Sequence, residues 1–128
     1  MKLSEYFENT PGRGIMATAD ADGHVGIAVY ARPHFIDEET VAFIMADKLM
    51  HKNLQSNPQA AYLFMEDKER YVGKRLYLTK IKEEKDKALI DQIRRKDKCP
   101  VYRVYKDSLR YLVYFHIDKV LPLIGEKK

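Results

Sequence analysis

The sequence predicts one α+β domain in which six β-strands form an antiparallel, closed or nearly closed barrel. Short apolar runs of five to nine residues recur along the chain, and most are joined by turns too short for parallel crossovers. Only three segments have the apolar periodicity of a helix. Because closure removes the unpaired edges of a sheet, this combination favours a barrel over an open sheet.

The first element is a short helix, predicted from apolar residues at helical spacing between positions 3 and 7. A Thr-Pro-Gly sequence at 10–12 ends it. Strands 15–19 and 25–31 follow, joined by Asp-Ala-Asp-Gly, whose Asp-Gly step suits the positive φ angles of a tight turn. Pro33 has no N–H to donate, so we expect it at the end of the second strand or on an edge.

The middle of the chain predicts a strand followed by a helix. Residues 37–39 form a polar turn, and the apolar run 41–46 is short and rich in strand formers. Asp47 is placed to cap a helix that begins at Lys48. This helix ends at Asn-Pro, residues 57–58, because the residue before a proline is disfavoured in the helical region.

The second half of the chain predicts three further strands and one helix. Residues 60–65 form a buried strand, and apolar and polar residues alternate along 74–82. A charged helix with a narrow apolar stripe is predicted over 83–96. The last strand, 111–117, again alternates along its length. The strand count is therefore six, in a single domain spanning residues 1–128.

Composition is consistent with a reduced, cytoplasmic protein. A chain of 128 residues with 45% hydrophobic residues can bury a core without disulfides, and the lone Cys99 cannot pair within the chain. The N-terminal residues lack the layout of a secretion signal. No apolar run approaches the roughly 20 residues of a membrane-spanning helix. We therefore expect no membrane association.

The net charge of +4 comes from one segment, residues 66–98, which holds 12 basic and 8 acidic residues. Their signs are interleaved, which is typical of a solvated helix face rather than of a track for nucleic-acid phosphates. Nucleic-acid binding stays open as a third hypothesis with a steep salt dependence. The favoured expectation is that the protein binds no nucleic acid.

The chemically most informative segment is the basic turn, defined as residues 48–53. Two lysines, a histidine and an asparagine cluster at the start of the predicted helix, where free N–H groups and the helix dipole favour an anion. Lys48 and Lys52 share a helix face, with His51 beside them. A phosphate group fits such a site, although an ordinary solvated helix start has the same spacing.

Other catalytic motifs are weak or missing from the sequence. The four histidines and one cysteine lack metal-ligand spacing, so no metal site is expected. Gly12-Arg13-Gly14 lacks the third glycine of a dinucleotide fingerprint, and there is no phosphate-binding Walker loop. Nothing marks a nucleophile elbow. Hydrolase chemistry therefore has little support, and no catalytic residue is assigned.

Three sequence blocks together resemble the pyridoxamine 5'-phosphate oxidase-like, FMN-binding split-barrel family. They are GIMATADADGHVGIAVYARPHF, VAFIMADKLMHKNLQSNPQAAYLFM and GKRLYLTKI. The most telling piece is the basic turn followed by Asn-Leu-x-x-Asn-Pro at 53–58 and a buried strand. The resemblance covers about residues 13–82. It implies a six-stranded antiparallel split β-barrel with short flanking helices.

The resemblance also implies a homodimer with one FMN in each of two clefts between the subunits. The strand segment Val29, Tyr30, Ala31 and Arg32 would run along the flavin ring. Met45, Ala46 and Asp47 would close on the edge of the ring, and the basic turn would hold the phosphate through Lys48, His51, Lys52 and Asn53. Arg75, Leu76 and Tyr77 of the other subunit would complete the pocket.

Two departures argue against a true pyridoxamine phosphate oxidase. The chain has no tryptophan, and it carries Lys48-Leu49-Met50 where those enzymes have a Ser-Arg-Lys phosphate turn. The leading hypothesis is an FMN-dependent oxidoreductase, a flavin reductase or electron carrier, acting with a small-molecule substrate or electron partner. The alternative is a non-enzymatic module for another planar ligand such as haem or a deazaflavin, with His51 or His116 as candidate haem ligands.

Overall fold

The computed structural model describes residues 2–46, 48–97 and 110–126, and these contain three helices and seven strands. In chain order the elements are α1 Leu3–Asn9, β1 Gly12–Ala19, β2 Val25–Tyr30, β3 His34–Asp37, β4 Thr40–Ala46, α2 Leu49–Ser56, β5 Gln59–Glu66, β6 Gly73–Glu84, α3 Lys87–Asp97 and β7 Arg110–Pro122. Every predicted helix and strand is present. The predicted α+β class is confirmed, whereas the strand count is not.

The additional strand is β3, which makes the predicted number of six strands wrong. Pro33 separates it from β2, and it pairs antiparallel with β4 across a two-residue turn at 38–39. The N–H of Glu39 donates to Asp37 Oδ1 at 2.8 Å and stabilises this turn. The sequence contains the turn, but only two apolar residues precede it, too few to predict a strand.

The seven strands form one antiparallel sheet in the order β2-β1-β5-β6-β7-β4-β3. β2 and β3 are its two edges, so the sheet is unclosed, in contrast to the closed or nearly closed barrel that the strand pattern favours. The sheet nevertheless wraps one apolar core. The ring of Tyr30 in β2 meets that of Phe43 in β4 at 6.1 Å, although four strands separate β2 from β4 in the sheet order.

Two helices close opposite ends of the core. Phe7 of α1 is 2% exposed and packs against Phe35 and Phe64. α2 lies at the other end, against the strands that form the Asp20–Gly23 hairpin. There a Cβ on Gly26 would lie 3.1 Å from Asn53 Nδ2, so the glycine permits the close approach of β2 to α2. The hairpin itself has the predicted turn, with Gly23 at φ 87°.

Helix α3 covers one part of the outer face of the sheet, and no described helix covers the rest. Ile90 and Ile93 of α3 pack on the outer side of β4 and β7. No described helix covers the outer side of β2, β1, β5 and β6. Register places apolar side chains of these four strands together on what we call the open sheet face, lined by Ile15, Ala17, Val25, Ile27, Val29, Ala61, Leu63, Met65 and Tyr77.

Several predicted element boundaries differ from those in the structure, because two strands continue beyond the apolar residues that predicted them. β6 continues to Glu84, so α3 begins at Lys87 rather than at residue 83, and β7 extends to Pro122.

Cys99 lies outside the described residues. Among the described residues, no helix is long and apolar enough to cross a membrane.

Candidate anion and cofactor site

The start of α2 presents the basic turn at the end of the core that α2 closes. Helix α2 begins immediately after Lys48, and no described side chain caps the helix at this residue. Asp47, the predicted cap and edge residue, lies outside the described residues. Lys48 and Lys52 are exposed on one side of the helix, as their spacing predicts. The first-turn N–H groups and the helix dipole add partial positive charge here.

A cavity of about 500 Å³ lies beside this helix start. Its walls come from three parts of the chain that are distant in sequence: α2, the end of β6 with the residue after it, and the start of β7. The lining side chains are Lys48, His51, Lys52, Gln55, Glu83, Lys85 and Tyr111. Three of the predicted phosphate-binding residues therefore share one cavity. Asn53 does not line it.

Glu83 is the acidic centre of the cavity wall. Its Oε2 lies 3.0 Å from His51 Nε2, and its Oε1 accepts hydrogen bonds from Gln55 at 3.0 Å and Lys80 at 2.6 Å. Burial opposes the charged carboxylate, but these hydrogen bonds outweigh it and lower the pKa of Glu83 to about 2. Glu83 is therefore an anion at neutral pH, and its charge is largely balanced by its own partners.

His51 is held between Glu83 and an aromatic ring. Its imidazole is 6% exposed and stacks on Tyr111, with ring centroids 3.8 Å apart and planes 9° from parallel. The Nζ of Lys85 lies 5.0 Å from the centre of the Tyr111 ring. Stacking and the contact with Glu83 fix the ring orientation, so His51 is a rigid part of the wall rather than a flexible surface side chain.

The charge balance of the cavity favours an anion. Lys48, Lys52 and Lys85 supply three cationic groups. The carboxylate of Glu83, the acidic residue in the wall, is already engaged by Lys80, His51 and Gln55. A phosphate monoester carries about −1.5 to −2 at neutral pH and three strong acceptor oxygens. The residues present therefore fit a phosphate group, and the volume leaves room for part of the molecule attached to it.

Three other residues predicted to contact the cofactor have structural roles. Asn53 is buried and donates from Nδ2 to Thr18 Oγ1 at 3.0 Å. Met45 is fully buried in the core, and Ala46 is half-buried opposite Arg110 in the sheet. These residues hold α2 and the end of β4 in place. Their side chains do not line the cavity.

The predicted ring-binding segment lies toward the other end of β2. Val29 is exposed on the open sheet face, whereas Tyr30 points into the core, where burial raises its pKa to about 12. The carbonyl of Ala31 accepts a hydrogen bond from Tyr62 at 2.9 Å. At about 3.3 Å per residue, the end of this segment is up to about 20 Å from Gly26, where β2 meets α2.

Arg32, predicted along the flavin ring, binds the end of α1. Its Nη1 donates to the carbonyl oxygens of Phe7 at 2.9 Å and Thr10 at 3.3 Å, so it satisfies groups at the helix C-terminus. Arg32 also lines a second cavity of about 310 Å³ beside α1 and β3. Arg32 therefore lies apart from the lysines, and any contact it makes with a ligand is at the end of the core that α1 covers.

Four cavity residues were not predicted: Gln55, Glu83, Lys85 and Tyr111. Gln55 could have been found, because it lies one helical turn after His51 on the same side of α2. The others carry no local signal. The segment that contains Glu83 and Lys85 is predicted as the start of a helix, and it reaches the cavity because β6 is longer than its apolar pattern.

Comparisons with protein-family models and with curated proteins give no match. Solved structures do match. An FMN-binding protein from Syntrophomonas wolfei subsp. wolfei is 20% identical with a TM-score of 0.74, over 98% of this chain and 86% of that chain. An F420 reductase is 16% identical with a TM-score of 0.70, over 94% of this chain and 97% of that chain.

A Lactobacillus delbrueckii protein provisionally described as a pyridoxamine 5'-phosphate oxidase is 17% identical. Its TM-score is 0.65, over 92% of this chain and 88% of that chain. A haem-binding protein from Mycobacterium smegmatis is 15% identical with a TM-score of 0.62, over 99% of this chain and 55% of that chain. At these identities the likeness establishes the fold, and the predicted resemblance to the split-barrel proteins is confirmed at that level.

Proposed function

We propose that the protein is an FMN-binding flavoprotein whose basic turn holds the FMN phosphate. The observation that carries this proposal is the cavity at the start of α2, where Lys48, Lys52 and Lys85 surround a space of about 500 Å³. The fold is shared with proteins that are named for binding FMN or for acting as an F420 reductase.

In this proposal the chain binds, orients and shields the cofactor. Lys48 and Lys52 neutralise the phosphate, and the N–H groups at the start of α2 donate to its oxygens. FMN, when bound, supplies the hydride and electron transfer chemistry. Val29 and its neighbours on the open sheet face offer an apolar surface suited to a flavin ring. No general acid or base is needed for an electron carrier or a flavin reductase.

The open sheet face supports a homodimer. Val25, Ile27 and Val29 are 74%, 72% and 61% exposed along the edge strand β2, and Ile15 and Tyr77 extend the apolar surface across the sheet. Large contiguous apolar surfaces on soluble proteins mark interaction sites. A second copy offers the same apolar face and is a self-complementary partner for it. Of the three residues expected to complete the pocket from the other subunit, Tyr77 is then available at the subunit boundary. Leu76 is fully buried, and Arg75 binds the carbonyl of Pro122.

A second candidate is a haem-binding module, and it depends on His116. Its Nδ1 lies 2.9 Å from Asp118 Oδ1, and the side chain is about half exposed. A carboxylate on one ring nitrogen commonly orients a metal-ligating histidine. His51 is the poorer haem ligand of the two, since its Nε2 already faces Glu83.

One experiment separates these candidates. Purified protein is titrated with FMN, haem and a deazaflavin while its visible spectrum is recorded, and its molar mass is measured by light scattering. We expect FMN to bind with one molecule per chain in a dimer of about 30 kDa, twice the 15.0 kDa chain mass. Binding of haem or deazaflavin without FMN would contradict the proposal, and a haem complex that is lost in His116→Ala would support the second candidate.

A further inference from the structure

The cavity of about 310 Å³ lies between α1 and residues 32–35, and the proposed FMN phosphate site does not include it. Three of its lining side chains are apolar: Phe7, Pro33 and Phe35. Phe7 and Pro33 are buried, and the Phe35 ring lies 5.8 Å from the Phe7 ring, so these residues form an apolar wall. The volume is near the lower end of the range for ligand pockets, which suits a small molecule.

Arg32 adds a fixed cation to this cavity. Its Nη1 donates to the carbonyl oxygens of Phe7 at 2.9 Å and Thr10 at 3.3 Å, and these bonds use two of the five N–H donors of the guanidinium. Within the part of the chain that the structure describes, the donors on Nε and Nη2 have no partner, and Arg32 forms no ion pair. The guanidinium is therefore held at one nitrogen and available to a ligand at the other two.

The available donors of Arg32 match a carboxylate. An N–H of Nε and an N–H of Nη2 lie side by side on one edge of a guanidinium, and such an edge binds both oxygens of a carboxylate in two parallel hydrogen bonds. Glu8 lines the same cavity, is exposed and forms no ion pair with a described residue. Because repulsion grows with ligand charge, Glu8 disfavours a phosphate dianion more than a ligand with a single negative charge. The charges of the cavity thus favour a monocarboxylate.

From these contacts we propose that the cavity binds a small monocarboxylic acid with an apolar body. The carboxylate lies on the Nε–Nη2 edge of Arg32, and the body packs against the apolar wall of Phe7, Pro33 and Phe35. This site is at the end of the core that α1 covers, whereas the basic turn is at the end that α2 closes. The proposal goes beyond FMN binding and does not depend on it, because the two ligands use different cavities.

The test is a titration of nitrogen-15-labelled protein with sodium phenylacetate at constant ionic strength, followed by two-dimensional NMR. Phenylacetate carries one carboxylate on a small aromatic body, and for its roughly ten non-hydrogen atoms we expect a dissociation constant on the order of 1 mM. The largest chemical-shift changes should fall in α1 and residues 32–35. Acetate, which lacks the apolar body, and phenylacetamide, which lacks the charge, should each bind at least about tenfold more weakly.

Two substitutions test the charges of the cavity separately. Arg32→Lys keeps the positive charge but loses the planar edge, so it should weaken phenylacetate binding by at least about tenfold. The matched control is Arg70→Lys, at an exposed position outside the cavity, which should bind as wild type does. Glu8→Gln removes the repelling carboxylate from an exposed position and should bind phenylacetate about twofold to fivefold more tightly.

Several outcomes overturn the proposal: no binding by the wild-type protein, shift changes centred on the basic turn, or equal affinity for acetate or phenylacetamide. So does wild-type affinity in Arg32→Lys or, if that variant does not fold, Glu8→Gln without a gain. The titration is repeated with FMN-saturated protein, where unchanged affinity supports a separate site and competition with FMN overturns it. Phenylacetate binding by a protein that does not bind FMN would support this site and overturn the proposed function alone.

Discussion

Asn53 Nδ2 donates a hydrogen bond to Thr18 Oγ1 at 3.0 Å, and both side chains are at least 97% buried. This bond connects α2 to β1 on the core side of the sheet, while Lys48 and Lys52 are exposed on the outer side of the helix. The position of the basic turn therefore depends on a polar contact in the core. Asn53 supports the candidate site without lining it.

Substitution of Asn53 by alanine should lower the free energy of unfolding by about 1–3 kcal/mol, because it leaves the Thr18 hydroxyl without this partner and opens a small cavity. The measurement is urea unfolding followed by circular dichroism. Asn9→Ala is the control, since Asn9 makes an exposed bond to the carbonyl of Glu5 and should change stability by less than about 0.5 kcal/mol. Equal effects of the two substitutions would contradict the buried role of Asn53.

Glu83 should make stability depend on acid pH. Its pKa is lowered to about 2 in the folded protein from an ordinary value of 4.5, so its contribution is present above about pH 4.5 and is lost as pH falls toward 2. Glu83→Gln should cost on the order of 1–2 kcal/mol at pH 7, after allowance for solvent screening. The difference from wild type should shrink between pH 5 and pH 2.5 in denaturant titrations. A difference that is constant over this range would show that the charge of Glu83 does not stabilise the fold.

The open sheet face should control the oligomeric state. Ile27→Lys places a charge at the centre of the apolar row on β2, and we expect it to convert a dimer into a monomer at micromolar concentration. Ile36→Lys is the matched control, because Ile36 is 49% exposed on β3, the edge strand at the other end of the sheet order. Size-exclusion chromatography with light scattering measures both. A dimer that survives Ile27→Lys and dissociates in Ile36→Lys would place the interface elsewhere.

Local signals in the sequence predict the elements well. Periodicity finds all three helices and six of the seven strands, and the Asp-Gly step finds the first hairpin. The helix start with its two lysines is also predictable, because spacing of four places them on one face. β3 is missed because its pairing with β4, rather than its own composition, makes it a strand.

The contacts between residues far apart in the chain could not be predicted from the sequence. The resemblance places Arg32 at the flavin ring, and nothing in the sequence indicates that its side chain binds the carbonyls at the end of α1. Glu83 and Tyr111 join the candidate site because β6 and β7 bring them to α2 from 32 and 60 residues away from His51. No local pattern around these residues indicates that convergence.

The central claim, that the basic turn holds the FMN phosphate, is tested most directly by comparing FMN with riboflavin. Their dissociation constants are measured by fluorescence quenching for wild type and for the double variant Lys48→Ala, Lys52→Ala. The control is Lys2→Ala, Lys87→Ala, which removes the same charge at exposed positions outside the cavity.

We expect the Lys48 and Lys52 variant to lose about 2–4 kcal/mol of FMN binding, roughly 30-fold to 1,000-fold in affinity. Riboflavin affinity should change less than about threefold, because riboflavin has no phosphate for the lysines to contact, and the control variant should bind both ligands as wild type does. Equal losses for FMN and riboflavin, or no loss for FMN, would contradict the assignment of the phosphate to this turn.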